Sequence, residues 1–124
     1  MPIMHTRIPT GSSQEQKTTL LQSLSQDVVE TIGAPLANVR VTLEEVAPAD
    51  TIVGGTLGHS MAFVELILIE GRTAEAKAAV IKALAQTIEK VIGVSQQDTR
   101  IMVVDAPKTD LGVAGGITAA AAGR

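Results

Sequence analysis

The sequence predicts an α+β fold: tandem β-α-β units forming a four-stranded mixed sheet with two helices on one face. Two observations carry this. The chain repeats itself at an offset of 60 residues, where Gly11 matches Gly71, Glu15 Glu75, Lys17 Lys77, Leu24 Leu84, Gln26 Gln86, Ile32 Ile92 and Gly33 Gly93. Without a gap, Arg40 then matches Arg100, Asp50 Asp110, Val53 Val113 and Gly55 Gly115, the pattern of a tandem duplication. Each half also reads as strand, helix, strand, and a helix between two strands implies a parallel pair joined by a right-handed crossover.

The elements follow in order. Residues 2–8 and 63–69 open the halves as strands, the second nearly all apolar, as suits a strand covered on both faces. The first helix begins near Ser12-Ser13-Gln14-Glu15, a capping-box spelling, and sets Leu20, Leu21, Leu24, Val28 and Ile32 on one face. Its counterpart begins near Thr73 and carries Val80, Ile81, Leu84, Ile88 and Ile92. Gly33 and Gly93 read as C-terminal caps. Residues 39–46 and 99–104 return as strands, and Gly54, Gly55, Gly115 and Gly116 mark turns. Residues 56–60 connect the halves, and the alanine-rich residues 118–123 form an interface or a frayed end without chemistry of their own. Two helices on one face leave the other needing cover, which predicts association.

At 124 residues and 12.8 kDa the chain is read as a single domain, residues 1–124, made of repeats 2–60 and 62–124. A domain of this size buries ~65% of the surface its unfolded chain exposes. There is no cysteine, which excludes disulfides, thiolate metal sites and a cysteine nucleophile. His5 and His59 lack the paired spacing of a metal site, so no metal is expected. The net charge is −3 and Phe63 is the only aromatic residue, so neither a basic stripe nor a stacking platform exists and nucleic acid is not expected as a partner. No apolar run approaches the ~20 residues of a membrane span and the start carries no signal pattern, so a cytoplasmic protein without membrane contact is expected.

The residue that points to chemistry is Pro2. Removal of Met1 would leave it as a secondary amine, and an α-amino group, with an ordinary pKa of about 7.7–8.0, acts as a base near neutral pH without much tuning.

An N-terminal proline, an Ile-Glu-Gly-Arg-Thr turn, a capped helix, an arginine opening the next strand and a closing Gly-Gly together resemble the 4-oxalocrotonate tautomerase family. The resemblance covers nearly the whole chain and implies a fused, two-unit member with the tautomerase/MIF-like fold, assembled as a homotrimer. It further implies a cofactor-independent isomerase whose amino-terminal proline moves a proton between carbons of a small anionic substrate, an unsaturated mono- or dicarboxylate. In such a family arginines hold the carboxylate and the enolate oxygen, where fixed guanidiniums stabilise developing charge and lower the pKa of a nearby amine. Carried over by position, the base falls on Pro2 and on Ala62, whose nitrogen is an amide. The arginine of the turn falls on Ser12 and on Arg72, and the strand-opening arginine occurs twice, as Arg40 and Arg100, either of which could serve Pro2. Arg7 has no counterpart and is read as a surface or interface residue. The family's aromatic pocket wall corresponds to Thr51 and Leu111. The activating glutamate of related dehalogenases corresponds to Val53 and Val113, which argues against hydration. Two further readings stand beside ketonisation of 2-hydroxy or 2-keto acids. One is a proline-dependent dehalogenase, decarboxylase or iminium-forming enzyme; the other is a non-catalytic trimeric assembly protein that kept the fold.

Overall fold

The computed structural model describes residues 2–124; Met1, whose removal the reading of Pro2 requires, lies outside the described residues. Strands β1 (Ile3–Pro9) and β2 (Arg40–Val46) flank helix α1 (Gln14–Ile32). The short strands β3 (Ile52–Val53) and β4 (Thr56–Leu57) follow, and β5 (Ala62–Ile69), α2 (Ala74–Ile92) and β6 (Thr99–Ala106) repeat the pattern before the short strands β7 (Gly112–Val113) and β8 (Ile117–Thr118).

The main sheet runs β2-β1-β5-β6. Each crossover pair is parallel, with Ile3 beside Arg40 and Ala62 beside Thr99, and the two units join through antiparallel β1 and β5, with Ile3 beside Ile67 and Arg7 beside Phe63. That central register relates the halves by a pseudo-two-fold axis. It also sets the start of β1 against the end of β5.

Both helices are 19 residues long and bury matching stripes, Leu20, Leu24 and Val28 against Val80, Leu84 and Ile88, a spacing of four that keeps each set on one face. These pack with Met4, Ile8, Ala62, Val64, Leu66 and Leu68 into one core. Burying each of these large side chains contributes about 1.5–3 kcal/mol. Across the helix pair, Thr87 donates to the Asp27 carboxylate at 2.5 Å, joining two positions that are themselves 60 apart. Burial, the larger effect, pushes the Asp27 carboxyl above its ordinary value; the Thr87 hydrogen bond works against this and nearby Glu30 adds to it.

Caps fix the helix ends. The capping box of α1 is Ser13 with Gln16, one residue later than the Ser12 spelling, and Thr73 caps α2. Gly33 and Gly93 close the helices at φ of 70° and 74°, a region only glycine enters freely.

In the single chain β5 is buried on the helix face, and Phe63, Ile67 and Ile69 on its other face are half-buried. One sequence expectation changes. The C-terminal segment is neither frayed nor without contacts: Ala119 is fully buried, its N–H donates to Leu111 O, and Ala120 N donates to Lys108 O. The alanine composition hid this because the ordering comes from backbone hydrogen bonds to a distant loop. Among the described residues no helix is long and apolar enough to cross a membrane.

Candidate active site

The antiparallel β1–β5 pairing brings Pro2 to the loop that follows β5. A cavity of about 260 Å³ opens there, lined by Pro2 with Ala34, Pro35 and Asn38 from the α1–β2 connection, Ile69, Glu70 and Arg72 from the β5–α2 turn, and Lys108 and Arg124. Pro2 itself is buried and is tied down by its carbonyl, which accepts from Arg40 N at 3.0 Å.

Arg72 is half-buried, and its Nη1 donates to Ile32 O at the C-terminal end of α1. The helix end holds the negative pole of the macrodipole, so this contact orients the guanidinium without neutralising it. A guanidinium has five N–H donors, and only this one is engaged among the described residues, which leaves the fork able to grip a carboxylate. Opposing it is one acidic side chain, Glu70, whose Oε1 accepts from Lys108 N at 3.2 Å.

The pseudo-two-fold axis generates a counterpart. A cavity of about 250 Å³ is lined by Pro9, Thr10, Gly11, Ser12, Gln16, Ser60, Ile92 and Val94, and none of these side chains is ionisable. There Thr10 stands where Glu70 does, Ser12 where Arg72 does, and Pro48 is the repeat position of Lys108. Pro2 and the ionisable side chains therefore occur in one cavity of the pair.

Models described as "Tautomerase enzyme" match residues 2–60 and 49–114. A 2-hydroxymuconate tautomerase of Pseudomonas putida is 40% identical over 61 residues, covering 49% of this chain and 97% of its own length. A wild-type fused 4-OT named Q0, solved as a symmetric trimer, is 49% identical with a TM-score of 0.96, covering 98% of this chain and 99% of its own. The chain belongs to the 4-oxalocrotonate tautomerase family as a fused, two-unit member. Pt0534, solved after inactivation by 2-oxo-3-pentynoate, is 38% identical with a TM-score of 0.96 over 98% of this chain and 99% of its own.

Within the fused tautomerase the other site residues read from sequence stay out of the cavity lining, although the Arg40 backbone is bonded to Pro2. Arg40 is exposed, in register with Ile3, and its Nη1 donates to Ala37 O at 3.0 Å. Arg100 mirrors it, donating to Gln97 O at 2.8 Å and Thr99 O at 3.1 Å. Arg100 is in register with Phe63, which pairs with Arg7, so it sits near the far end of β1, roughly 15–20 Å along the strands from Pro2. Thr51 lines a cavity of about 500 Å³ with Arg7, Pro48 and His59. Val53 is exposed in the β3–β4 ladder, whereas Val113 is buried in the β7–β8 ladder and Leu111 is half-buried. None of Arg40, Arg100, Thr51, Val53, Leu111 or Val113 lines the Pro2 cavity of the single chain. Arg7 pairs with Glu44 at 3.3 Å and His59 with Asp98 at 2.8 Å.

Sequence reasoning missed Lys108 and Arg124. For Lys108 a signal existed: its repeat partner is Pro48, so the charge appears in the second half alone, as with Arg72.

Proposed function

We propose that this tautomerase ketonises small unsaturated 2-hydroxy acids to their 2-keto forms without a cofactor, using the amine of Pro2 as general base. The neutral amine takes the proton of the 2-hydroxyl. The oxygen electrons form the C=O bond, the conjugated double bonds shift, and the proton is returned to carbon at the end of the dienol. Negative charge passes through the oxygen and the carboxylate, and cations aimed at them lower the barrier. Arg72 is the carboxylate grip in this reading.

The observation that carries the reading is the pairing of Pro2 with Arg72 in one cavity while the counterpart cavity has neither a terminal amine nor a charge. The names of the relatives, a 2-hydroxymuconate tautomerase among them, agree with it.

The same reading makes the protein a homotrimer with three sites. The sheet face opposite the helices leaves Ile3, Phe63, Ile67 and Ile69 partly exposed in the single chain, and the similar fused 4-OT is a symmetric trimer. Arg100, far from Pro2 in its own chain, would then serve a neighbour's site, with Arg40 as the alternative donor. Light scattering tests the assembly and absorbance-monitored ketonisation of 2-hydroxymuconate tests the reaction. Three chains per particle, and a rate lost when the terminal amine is blocked, are expected.

A further inference from the structure

We infer that Glu70 is a positioning residue of the Pro2 site: its carboxylate ties the β6–β7 loop to the β5–α2 turn and so holds two sides of the cavity lining together. The inference rests on the reading of this cavity as the catalytic one and adds what keeps it in shape.

Glu70 grips the corner where β6 gives way to the loop from two directions. Its own N–H donates to Ala106 O at 3.0 Å, and its Oε1 accepts from Lys108 N at 3.2 Å. The loop turns there, with Asp110 N donating to Pro107 O at 2.9 Å, and the Lys108 carbonyl accepts from Ala120 N at 3.0 Å. The Lys108 peptide is therefore held by Glu70 on its N–H and by the C-terminal segment on its carbonyl. Ile69, Glu70 and Arg72 line the cavity from the turn, and Lys108 lines it from the loop, so the bond joins two parts of one wall.

The first half of the chain has the same corner without the tie. Thr10 N donates to Val46 O at 3.3 Å and Asp50 N to Ala47 O at 2.9 Å, each the repeat of a bond just named. The backbone thus follows the same course in both halves. Yet Thr10 stands for Glu70, and Pro48 stands for Lys108. Proline has no N–H to donate and threonine has no carboxylate to receive one, so both partners are missing together. A bond that the fold required would be needed in both halves; this one occurs only at the cavity that Pro2 lines.

Glu70 and Lys108 are exposed, and a hydrogen bond in such a place is worth about two- to tenfold in an equilibrium. The test is a cycle of paired substitutions. Lys108→Pro and Lys108→Ala both remove the ammonium, but only proline removes the N–H, and the turn admits proline because Pro48 begins its counterpart. Glu70→Leu and Glu70→Gln both remove the charge, but only leucine removes the acceptor. With Glu70 intact, the proline variant should show a Michaelis constant for 2-hydroxymuconate about fivefold above the alanine variant. The two kcat values should agree within about twofold, because Pro2 is held separately by Arg40 N. Glu70→Leu should exceed Glu70→Gln about threefold, and with leucine in place the proline and alanine variants should become equal, as expected for partners in one bond. Calorimetric titration with cis,cis-muconate should give the same pattern without turnover, and amide exchange at Lys108 should be faster in Glu70→Leu than in Glu70→Gln. If wild type turns over no 2-hydroxymuconate, the catalytic reading falls while the titration still decides the tie. Additive effects of leucine and proline, equal constants for the proline and alanine variants with Glu70 intact, or no recovery by glutamine would overturn the proposal.

Discussion

Pro2, at the head of the first strand, and Arg72, just beyond the end of the fifth, line one cavity although they belong to different halves of a duplicated chain. The antiparallel register of β1 and β5 makes this meeting, since it sets the start of one unit's opening strand against the end of the other's. By the same symmetry the counterpart cavity lies at the turn of Ser12, and no ionisable side chain lines it.

Arg72→Ala should therefore raise the Michaelis constant for a dicarboxylate much more than for a monocarboxylate. A charge-assisted contact from this half-buried guanidinium is worth roughly 1.5–3 kcal/mol, or about 10- to 150-fold. Ser12→Ala should leave both constants within about twofold. Steady-state kinetics on the two variants read the difference, and equal effects would contradict a division of labour between the halves.

The tandem repeat, the capped helices and the four long strands were legible because each is a local pattern: a fixed offset, a period of 3.6, a glycine at a left-handed position. Pro2 and Arg72 stood out for the same reason, one as a terminus and the other as a charge missing from its repeat partner. Their convergence was not legible, because the β1–β5 register that creates it is a long-range pairing. Lys108 and Arg124 escaped because a loop and an alanine-rich tail reach the cavity through backbone hydrogen bonds to Glu70, Leu111 and Lys108, which leave no periodic trace. The short β3–β4 and β7–β8 ladders read as turns for lack of length.

Mixing two inactive proteins tests the shared site. Arg100→Ala chains and chains with a blocked amino terminus should each be inactive alone. Refolded together they should recover part of the wild-type rate, because a mixed trimer can join an intact Pro2 to a neighbour's intact Arg100. If only Arg40→Ala complements in this way, Arg40 is the donor; if neither does, the site is confined to one chain.

Asp27 gives a stability prediction with a definite sign. Its carboxyl is held above the ordinary value in the folded protein, mainly by burial, so the fold favours the protonated form. The penalty is absent below the unfolded-state value, grows as pH rises toward the raised folded value, and is fully present at neutral pH. Asp27→Asn keeps an acceptor for Thr87 and removes the charge. Its melting temperature should exceed that of wild type at pH 7, with the gap closing as the pH is lowered toward about 4. A lower melting temperature at pH 7 would mean that the Thr87 hydrogen bond needs the ionised carboxylate.

The amine should titrate below its free value of about 7.7–8.0, because Arg72, Lys108 and Arg124 disfavour another positive charge beside them. The neutral form is the base, so kcat/KM should rise with pH through that lowered pKa and level off above it. Neutralising Lys108 and Arg124 together should move the inflection upward. An inflection unmoved in the double variant would detach these cations from the amine.

The central claim is that a free amine at Pro2 carries the reaction, and the most direct measurement compares 2-hydroxymuconate ketonisation by protein beginning at Pro2 with the same protein acetylated at that nitrogen, both verified by intact mass. The acetylated protein, folded and trimeric, should show no rate above the solution reaction. A rate equal to that of the free-amine protein would contradict the assignment and leave Arg72, Lys108 and Arg124 as a binding site without its base.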